Sequence, residues 1–305
     1  MRCRTYTLSI LAIVIAGAVT AWIVTEPRPL YGTDTASSTP DTGDPEKGKV
    51  IFDAGDCASC HASPGQSDRL HLGGGIALST AFGTFRPPNI SPDAVDGIGQ
   101  WRTNDLANAM LAGVSPARTH YYPTFPYSSY ARMTYGDVRD LLAYLRTLPR
   151  VSGRAPPHEP TILFRIRRFV GFWKILFLDR QPLVPDGSRD EQWNRGRYLT
   201  EAVAHCAECH SSRNLLGAIR PETRFAGGTD PEGTGFIPNI TPARIGDWSQ
   251  QEIEKMLQTG DTPNHGRVGA SMTGVVTNTA MLPQHDRSAI AAYIKSLPSR
   301  PTPQP

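Results

Sequence analysis

The strongest constraint on this chain is a five-residue pattern of cysteine and histidine that occurs twice. Four of the five cysteines belong to it, in the segments Cys57-Ala-Ser-Cys60-His61 and Cys206-Ala-Glu-Cys209-His210. C-x-x-C-H is the attachment motif of c-type haem, because two thiols at this spacing reach both vinyl groups of one porphyrin. The adjacent histidine then binds the iron from the proximal side. The sequence therefore predicts two covalently bound haem c groups, each with one proximal histidine.

Paired cysteines have three other common roles, namely a zinc site, a redox pair and a structural disulfide. A zinc site needs four ligands close together, whereas each motif offers three in a row with no second pair nearby. A thioredoxin-like redox pair lies in a βαβ context, which the sequence does not show. Haem attachment remains the best interpretation of both motifs.

The two motifs lie in an internal repeat, with His61 and His210 separated by 149 residues. Other landmarks recur at nearly the same offset, such as Pro88-Asn89-Ile90-Ser91-Pro92 and Pro238-Asn239-Ile240-Thr241-Pro242. Such self-similarity indicates duplicated units. We predict two all-α haem domains over residues 45–150 and 193–300, joined by an inter-domain segment over 151–192.

Apolar residues at helical spacing predict the same final helix in each copy. The first copy carries Val138, Leu141, Leu142 and Leu145, and the second carries Ile290, Tyr293, Ile294 and Leu297. No convincing alternating strand is visible. Gly and Pro together account for 55 of the 305 residues, 28 and 27 respectively. We expect the porphyrins to replace much of the apolar core that such a loop-rich chain lacks.

The inter-domain segment contains an apolar stretch over residues 162–178 that also carries three Arg and one Lys. It is too charged to span a bilayer. It is predicted to pack between the domains, and the alternative is an interfacial contact with a membrane or a partner.

The N-terminus has the pattern of an export signal. Arg2 and Arg4 precede an uncharged, mostly apolar run from Leu8 to Val24. Residues 1–25 are predicted to be a signal peptide or a membrane anchor, and residues 26–44 a linker. Since c-type haem is attached outside the bacterial cytoplasm, the rest of the chain is expected on the periplasmic side of the inner membrane.

Electron-transfer haems need a second axial ligand, usually a methionine. Met272 follows a Gly-Ala-Ser loop in the second copy, and Met281 is its alternative. In the first copy we predict Met133, with Met110 or His120 as alternatives. Two further side chains lie in the matched Pro-Asn-Ile turns and could bind a haem propionate or simply stabilise the turn, namely Asn89 and Asn239.

Several of these segments resemble the cytochrome c subunits of bacterial membrane-bound alcohol, gluconate and aldehyde dehydrogenases. The resemblance rests on the segments 82–93, 97–101, 120–127, 213–214, 237–242 and 269–272. It implies tandem class I-like cytochrome c domains. It also implies a separate dehydrogenase subunit, holding PQQ, flavin or molybdopterin, which passes electrons through the haems to quinone or a terminal oxidase.

The leading functional prediction is therefore an electron-transfer subunit rather than an enzyme. The alternative is a dihaem enzyme, such as a peroxidase or a thiosulfate-oxidising cytochrome, which would need an open or unusually ligated iron. The net charge of +3 is too small to suggest nucleic acid as a partner.

Overall fold

The structure, a computed structural model, describes residues 2–32, 42–231 and 235–304. It is mostly helical, and its α-helices are α1 (Arg2–Val24), α2 (Pro45–Ala54), α3 (Cys57–His61), α4 (Thr103–Ala112), α5 (Tyr127–Tyr130), α6 (Tyr135–Leu145), α7 (Phe169–Phe177), α8 (Glu191–Tyr198), α9 (Cys206–Cys209), α10 (Pro242–Ile245), α11 (Gln250–Thr259), α12 (Met272–Thr279) and α13 (Gln284–Lys295). A π-helical turn, Leu199–Val203, continues α8, and 3₁₀ turns lie at Ile162–Arg165 and Pro221–Thr223.

Helices α2 and α6 cross at a glycine. A Cβ at Gly48 would lie 1.9 Å from the carbonyl oxygen of Asp140, so only a glycine allows the two backbones this close. Further along the crossing, the rings of Phe52 and Tyr144 meet edge to face with centroids 5.2 Å apart. The apolar face predicted for the final helix of the first copy is therefore buried against the helix that precedes the first motif.

Helices α8 and α13 repeat this crossing in the second copy. A Cβ at Gly196 would lie 1.9 Å from the carbonyl oxygen of Ala289. The rings of Trp193 and Tyr293 also meet edge to face at 5.2 Å. The two glycines are 148 residues apart and the two tyrosines 149, so the repeat in the sequence corresponds to a repeat in packing.

The helices between these pairs also correspond. α4 packs on α6 and α11 packs on α13. Both end at a glycine in the left-handed region, Gly113 with φ 60° and Gly260 with φ 79°. A capping box of Ser249 and Glu252 is present at the start of α11.

The expectation of no strands was wrong in detail, because the described residues contain five short ones. β1 (Leu78–Thr80), β2 (Gly83–Phe85) and β3 (Glu159–Pro160) form one antiparallel sheet, and β4 (Gly228–Thr229) pairs with β5 (Phe236–Ile237). Strands of two or three residues are too short to show an alternating pattern. They close the long loops that follow the two motifs.

The first part of the predicted linker is held against α4. Asn108 accepts hydrogen bonds from the backbone N–H groups of Leu30 and Tyr31 at 2.8 and 2.9 Å, and its amide donates to the Tyr31 carbonyl at 2.9 Å. The part of the linker over 33–41 lies outside the described residues.

The middle segment touches both copies of the repeat. Val170 of α7 is buried, and Lys174 Nζ donates to the carbonyl oxygens of Ala112 and Gly113 at 2.7 and 2.6 Å. Trp173 Nε1 donates to the Leu216 carbonyl of the second copy at 2.9 Å. One side of α7 therefore contacts both copies of the repeat.

Helix α1 is apolar and leaves most of its large side chains exposed. A search of the described residues finds no helix with the length and apolarity needed to cross a membrane.

Candidate haem sites

Both attachment motifs begin with a sharp turn of the chain. The residue before each motif, Asp56 or His205, has a left-handed backbone with φ of 52° and 42°. The turn brings α3 back against the end of α2, and α9 back against the π-helical turn that follows α8. Each C-x-x-C pair is then wound into a single helical turn, so both thiols project from one short, fixed element. All four motif cysteines are free thiols.

The histidine of each motif is oriented by a hydrogen bond to a proline carbonyl. His61 Nδ1 donates to the Pro88 oxygen at 2.8 Å, and His210 Nδ1 donates to the Pro238 oxygen at 2.7 Å. A carbonyl oxygen only accepts, so Nδ1 carries the proton and Nε2 keeps its lone pair. A hydrogen bond of this kind from the second nitrogen is what normally orients a metal-ligating histidine.

Burial keeps these groups uncharged. It lowers the pKa of His61 and of His210 by more than their carbonyl partners raise it. It also raises the pKa of the Cys57 thiol, and raises that of Cys206 to about 12. Neutral imidazole is the ligating form of histidine, and an apolar surrounding suits a thioether, which carries no charge.

The loops that supply the proline carbonyls are fixed by the predicted asparagines. The Asn89 amide donates to the Val151 and Gly153 carbonyls at 2.7 and 2.9 Å, and its oxygen accepts from the Ser91 N–H at 2.9 Å. Asn89 is buried, and each asparagine ties its Pro-Asn-Ile turn to the segment that follows the final helix.

Asn239 repeats this arrangement. Its amide donates to the Arg300 carbonyl at 2.8 Å and to the Thr302 hydroxyl at 3.1 Å, and its oxygen accepts from the Thr241 N–H at 2.7 Å. Both hydrogens of each amide are thus used within the protein. The turn-stabilising interpretation accounts for both residues, and the propionate contact stays a prediction that requires one of these bonds to be exchanged.

The two predicted distal methionines lie in different structural settings. Met133 is 2% exposed and belongs to the main apolar core. It lies directly before Thr134, the N-cap residue of α6. Leu282, 3% exposed, holds the corresponding place before α13. Met272 was expected in a loop but is the first residue of α12, where it is partly buried against the same core. The side chain of Ser271, which precedes this helix, makes no capping bond.

The alternative ligands are engaged elsewhere. His120 is buried, and its Nε2 donates to the Thr25 carbonyl at 2.8 Å. Met110 packs in the core on α4, and Met281 is 51% exposed. Among the described residues, no group of three or more His, Cys, Asp or Glu side chains could hold a metal ion by itself. The donor set that each motif presents is therefore two thiols and one imidazole nitrogen, which fits haem c.

Both motifs take part in contacts between the two copies, which sequence reasoning did not anticipate. Asn278, on α12 of the second copy, donates to Asp56 and to the Ser59 hydroxyl, the latter at 3.2 Å. Arg69 donates to the Asn278 oxygen. The first attachment helix thus packs on the helix that begins with the predicted distal ligand of the second site.

The reverse contact is made by Glu208, between the cysteines of the second motif. Its carboxylate accepts from Ser128 at 2.7 Å and Ser129 at 3.1 Å, both on α5 of the first copy, and pairs with Arg213 at 2.8 Å. Although burial opposes ionisation, the charge of Arg213 and the hydrogen bonds from Ser128 and Arg213 lower the pKa of Glu208. Each attachment helix therefore touches a helix of the other copy, α3 touching α12 and α9 touching α5.

Comparison with known proteins agrees with this geometry. The family model "Cytochrome c" matches residues 45–149. A "Diheme cytochrome c-type" protein of Cereibacter sphaeroides is 46% identical over 299 residues, which cover 97% of this chain and 99% of that protein. The chain belongs to the cytochrome c family. It is mostly helical, as predicted, and the resemblance noted from its motifs is confirmed.

Two other relatives of this cytochrome are subunits of larger assemblies. The "Fructose dehydrogenase cytochrome subunit" of Gluconobacter japonicus is 35% identical over 83% of this chain. The "Alcohol dehydrogenase (quinone), cytochrome c subunit" of Gluconacetobacter polyoxogenes is 31% identical over 90%. The chain spans 52% and 60% of their respective lengths. Both names denote cytochrome subunits rather than catalytic ones, in agreement with the predicted role.

Proposed function

We propose that this cytochrome is a dihaem electron carrier that accepts electrons from a dehydrogenase and passes them to the respiratory chain. The duplicated bond from the motif histidine to a proline carbonyl carries the proposal, because it prepares an iron ligand at both motifs. The name of the Cereibacter sphaeroides relative supports a count of two haems. Two cytochrome c domains, over 45–150 and 193–300, would hold one haem each.

The residues would divide the work as the motifs predict. Cys57, Cys60, Cys206 and Cys209 form the thioether bonds, and His61 and His210 bind iron through Nε2. When bound, the haem iron supplies one-electron exchange between its ferric and ferrous states. The protein holds each histidine in one tautomer and one orientation, so the ligand need not rearrange between the two states.

Met133 and Met272 are the proposed distal ligands. A thioether ligand opposite histidine raises the potential of a haem, which suits a carrier that receives electrons from a dehydrogenase. Both methionines adjoin the core against which Cys57 and Cys206 also pack.

The contacts between the copies supply a route within the molecule. Tyr130 Oη lies 3.5 Å from the Gly55 carbonyl, and His205 Nε2 lies 3.3 Å from the same oxygen. Gly55 and His205 lie at the two attachment turns, so both attachment helices begin close together in a packed region. Electron exchange between haems held by these helices would then need no change of conformation.

The proposed donor is a dehydrogenase with a PQQ, flavin or molybdopterin cofactor, and the proposed acceptor is quinone or a terminal oxidase. The names of the relatives, which include fructose, alcohol and gluconate dehydrogenases, support this kind of donor. We place the cytochrome on the periplasmic side of the inner membrane. The export pattern of residues 1–25, as cleaved signal or anchor, and the site of haem attachment support this location.

The position of Met133 favours one alternative function. Its counterpart before α13 is Leu282, which cannot bind iron. If Met133 only packs, the first haem would have an exchangeable position, as a dihaem peroxidase or thiosulfate-oxidising cytochrome requires.

Affinity purification of the full chain from solubilised membranes tests the proposed function. We expect a dehydrogenase to co-purify, and its substrate to reduce both haems when primary alcohols, sugars and aldonates are supplied in turn. A chain with Cys206→Ala and Cys209→Ala should show one reduced haem in the same experiment. Recovery of the haem-loaded chain without any dehydrogenase, or haems that stay oxidised with every substrate, would contradict the proposal.

A further inference from the structure

The face of α7 that does not pack on the protein is apolar. Phe169, Phe172, Ile175 and Leu176 are 41%, 39%, 60% and 64% exposed, and the preceding Ile166 is 54% exposed. Val170 and Gly171 of the same helix are buried against the rest of the protein. Exposed apolar patches of this kind mark contact sites with proteins or membranes. We propose that this face lies on the surface of an anionic lipid bilayer, an inference that rests on the membrane-side location proposed above.

The exposed apolar helix α1 ends directly on α7. Arg168 lies over the Trp22 ring at 4.1 Å and donates to the Trp22 carbonyl. A Cβ at Gly171 would lie 2.6 Å from the Thr25 oxygen, so the end of α1 is pressed against the α7 backbone. The apolar surface of α1 therefore continues into the apolar face of α7. A bilayer in contact with α1 would also lie beside the α7 face.

The charges around this face match an anionic surface. Residues 162–178 carry three Arg and no Asp or Glu, and their one lysine, Lys174, bonds to carbonyl groups of the first copy. Arg165 lies within this segment and Arg180 two residues beyond it, after Asp179, and neither forms an ion pair within the part of the chain that the structure describes. Basic residues at the rim of an apolar helical face are typical of helices that lie in the interface of anionic membranes.

A cleft next to Arg165 adds to the positive charge. It has a volume of about 680 Å³, and its lining includes Arg86, Arg154, Arg165, Arg167, Asp96 and Glu159. Asp96 and Glu159 pair with Arg154 and Arg86 at 3.0 and 2.8 Å. The cleft therefore holds four guanidinium groups and two carboxylates, an excess of two positive charges. Such a site is suited to bind a lipid phosphate.

A turn of the second copy extends the same surface. Leu215 is 98% exposed and Leu216 is 51% exposed. Trp173 of α7 donates to the Leu216 carbonyl, which fixes this turn beside the helix. The surface therefore draws on both copies of the repeat, and its contact with a bilayer would set the orientation of both proposed haem sites.

Hydroxyl-radical footprinting of the full haem-loaded chain in lipid vesicles tests the inference. Labelling of Phe169, Phe172, Ile175 and Leu176 should fall several-fold in vesicles of phosphatidylglycerol and phosphatidylcholine, relative to the chain in buffer without lipid or detergent. Val95 and Val184, each 73% exposed and outside the α7 face, are the internal controls and should label equally in both. The loss should be smaller in vesicles of phosphatidylcholine alone.

Two sets of variants separate the apolar and the charge contributions. Ile175→Ser with Leu176→Ser should restore labelling of the two phenylalanines in anionic vesicles, whereas Val184→Ser should not. Arg165→Ser should raise the concentration of anionic lipid needed for half-maximal protection about fivefold, because the variant loses one basic residue at the membrane interface. The haem spectrum should stay unchanged in all three.

Each outcome decides a different statement. A chain that binds the vesicles with the α7 face still fully labelled overturns the inference and leaves the proposed location intact. A chain that does not bind vesicles at all overturns the inference and excludes residues 1–25 as a membrane anchor, and it leaves the periplasmic location to a cleaved signal. Protection that appears only when a dehydrogenase co-purifies, and not with vesicles, assigns the face to a protein partner and also overturns the inference.

Discussion

At the residue scale, one hydrogen bond decides how each motif histidine can act. The bond from Nδ1 to Pro88 or Pro238 fixes the tautomer and leaves Nε2 for iron. The histidines could be predicted from the sequence because their cysteines are adjacent. Their carbonyl partners lie 27 and 28 residues away, and only the fold brings them together.

The distal methionines give the first prediction. Met272→Leu should remove the thioether absorption band of one haem and let that haem bind carbon monoxide when reduced. Since axial ligands set haem potentials over a range of about 0.8 V, its midpoint should fall by on the order of 0.1 V. Met133→Leu should do the same to the other haem.

The control is Met256→Leu, which changes a partly buried methionine that packs on the core from α11. Its spectrum and both midpoints should match the wild type. An unchanged thioether band in Met133→Leu would show that Met133 only packs, as Leu282 does, and would favour the enzyme alternative.

Buried His120 gives a pH prediction. Burial lowers its pKa from 6.5 to about 4, and the charges of Lys174 and Arg168 add to the shift. The unfolded chain therefore binds more protons between these values, so stability falls as pH drops from about 6.5 to about 4. Over this pH range, urea unfolding should show that His120 lowers the free energy of unfolding by at most about 3 kcal/mol.

His120→Gln keeps a donor for the Thr25 carbonyl but cannot be protonated, so its stability should depend less on pH over that window. His285→Gln is the control, because that side chain is 78% exposed. Equal pH slopes for wild type and His120→Gln would refute the assignment.

At the element scale, the matched glycines decide how closely the helices cross. Gly48→Ala and Gly196→Ala place a Cβ 1.9 Å from a backbone oxygen, so the helices must separate. Each substitution should lower the free energy of unfolding by at least about 2 kcal/mol. Thermal or urea unfolding measures it.

Gly136→Ala is the matched control within α6. Its Cβ would meet only the Thr134 hydroxyl at 3.7 Å, an ordinary contact. Alanine at this helical position should be neutral or stabilise by up to about 1 kcal/mol. If Gly48→Ala also left stability unchanged, α2 and α6 could not cross as closely as the structure shows.

The sequence predicts long elements better than short ones. The final helix of each copy, α6 or α13, could be predicted from the spacing of apolar residues such as Val138 and Ile290. The five short strands and α12 could not, because strands of two or three residues carry no period and Ser271, the residue before α12, makes no capping bond.

At the scale of the whole molecule, the contacts between the copies hold the two motifs together, and Glu208 is central to them. Glu208→Ala should cost about 3 kcal/mol, because Arg213 loses its carboxylate and two serines lose their acceptor. Differential scanning calorimetry of the haem-loaded chain measures the shift. These contacts could not be predicted, since Ser128 and Glu208 are 80 residues apart and no local pattern links them.

The exposed pair of Glu222 and Arg220 provides the comparison, with side chains 59% and 52% exposed. Glu222→Ala should change stability by less than about 1 kcal/mol. Equal effects of the two substitutions would mean that Glu208 does not join the copies.

The central claim is that each motif attaches one haem. The most direct measurement is the intact mass of the chain, produced with a working haem-attachment system, together with its pyridine haemochrome spectrum. We predict a mass increase of two haem groups, and of one when either Cys57→Ala with Cys60→Ala or Cys206→Ala with Cys209→Ala is introduced. A colourless chain of unmodified mass would contradict the account, as would a haem count unchanged by the loss of either cysteine pair.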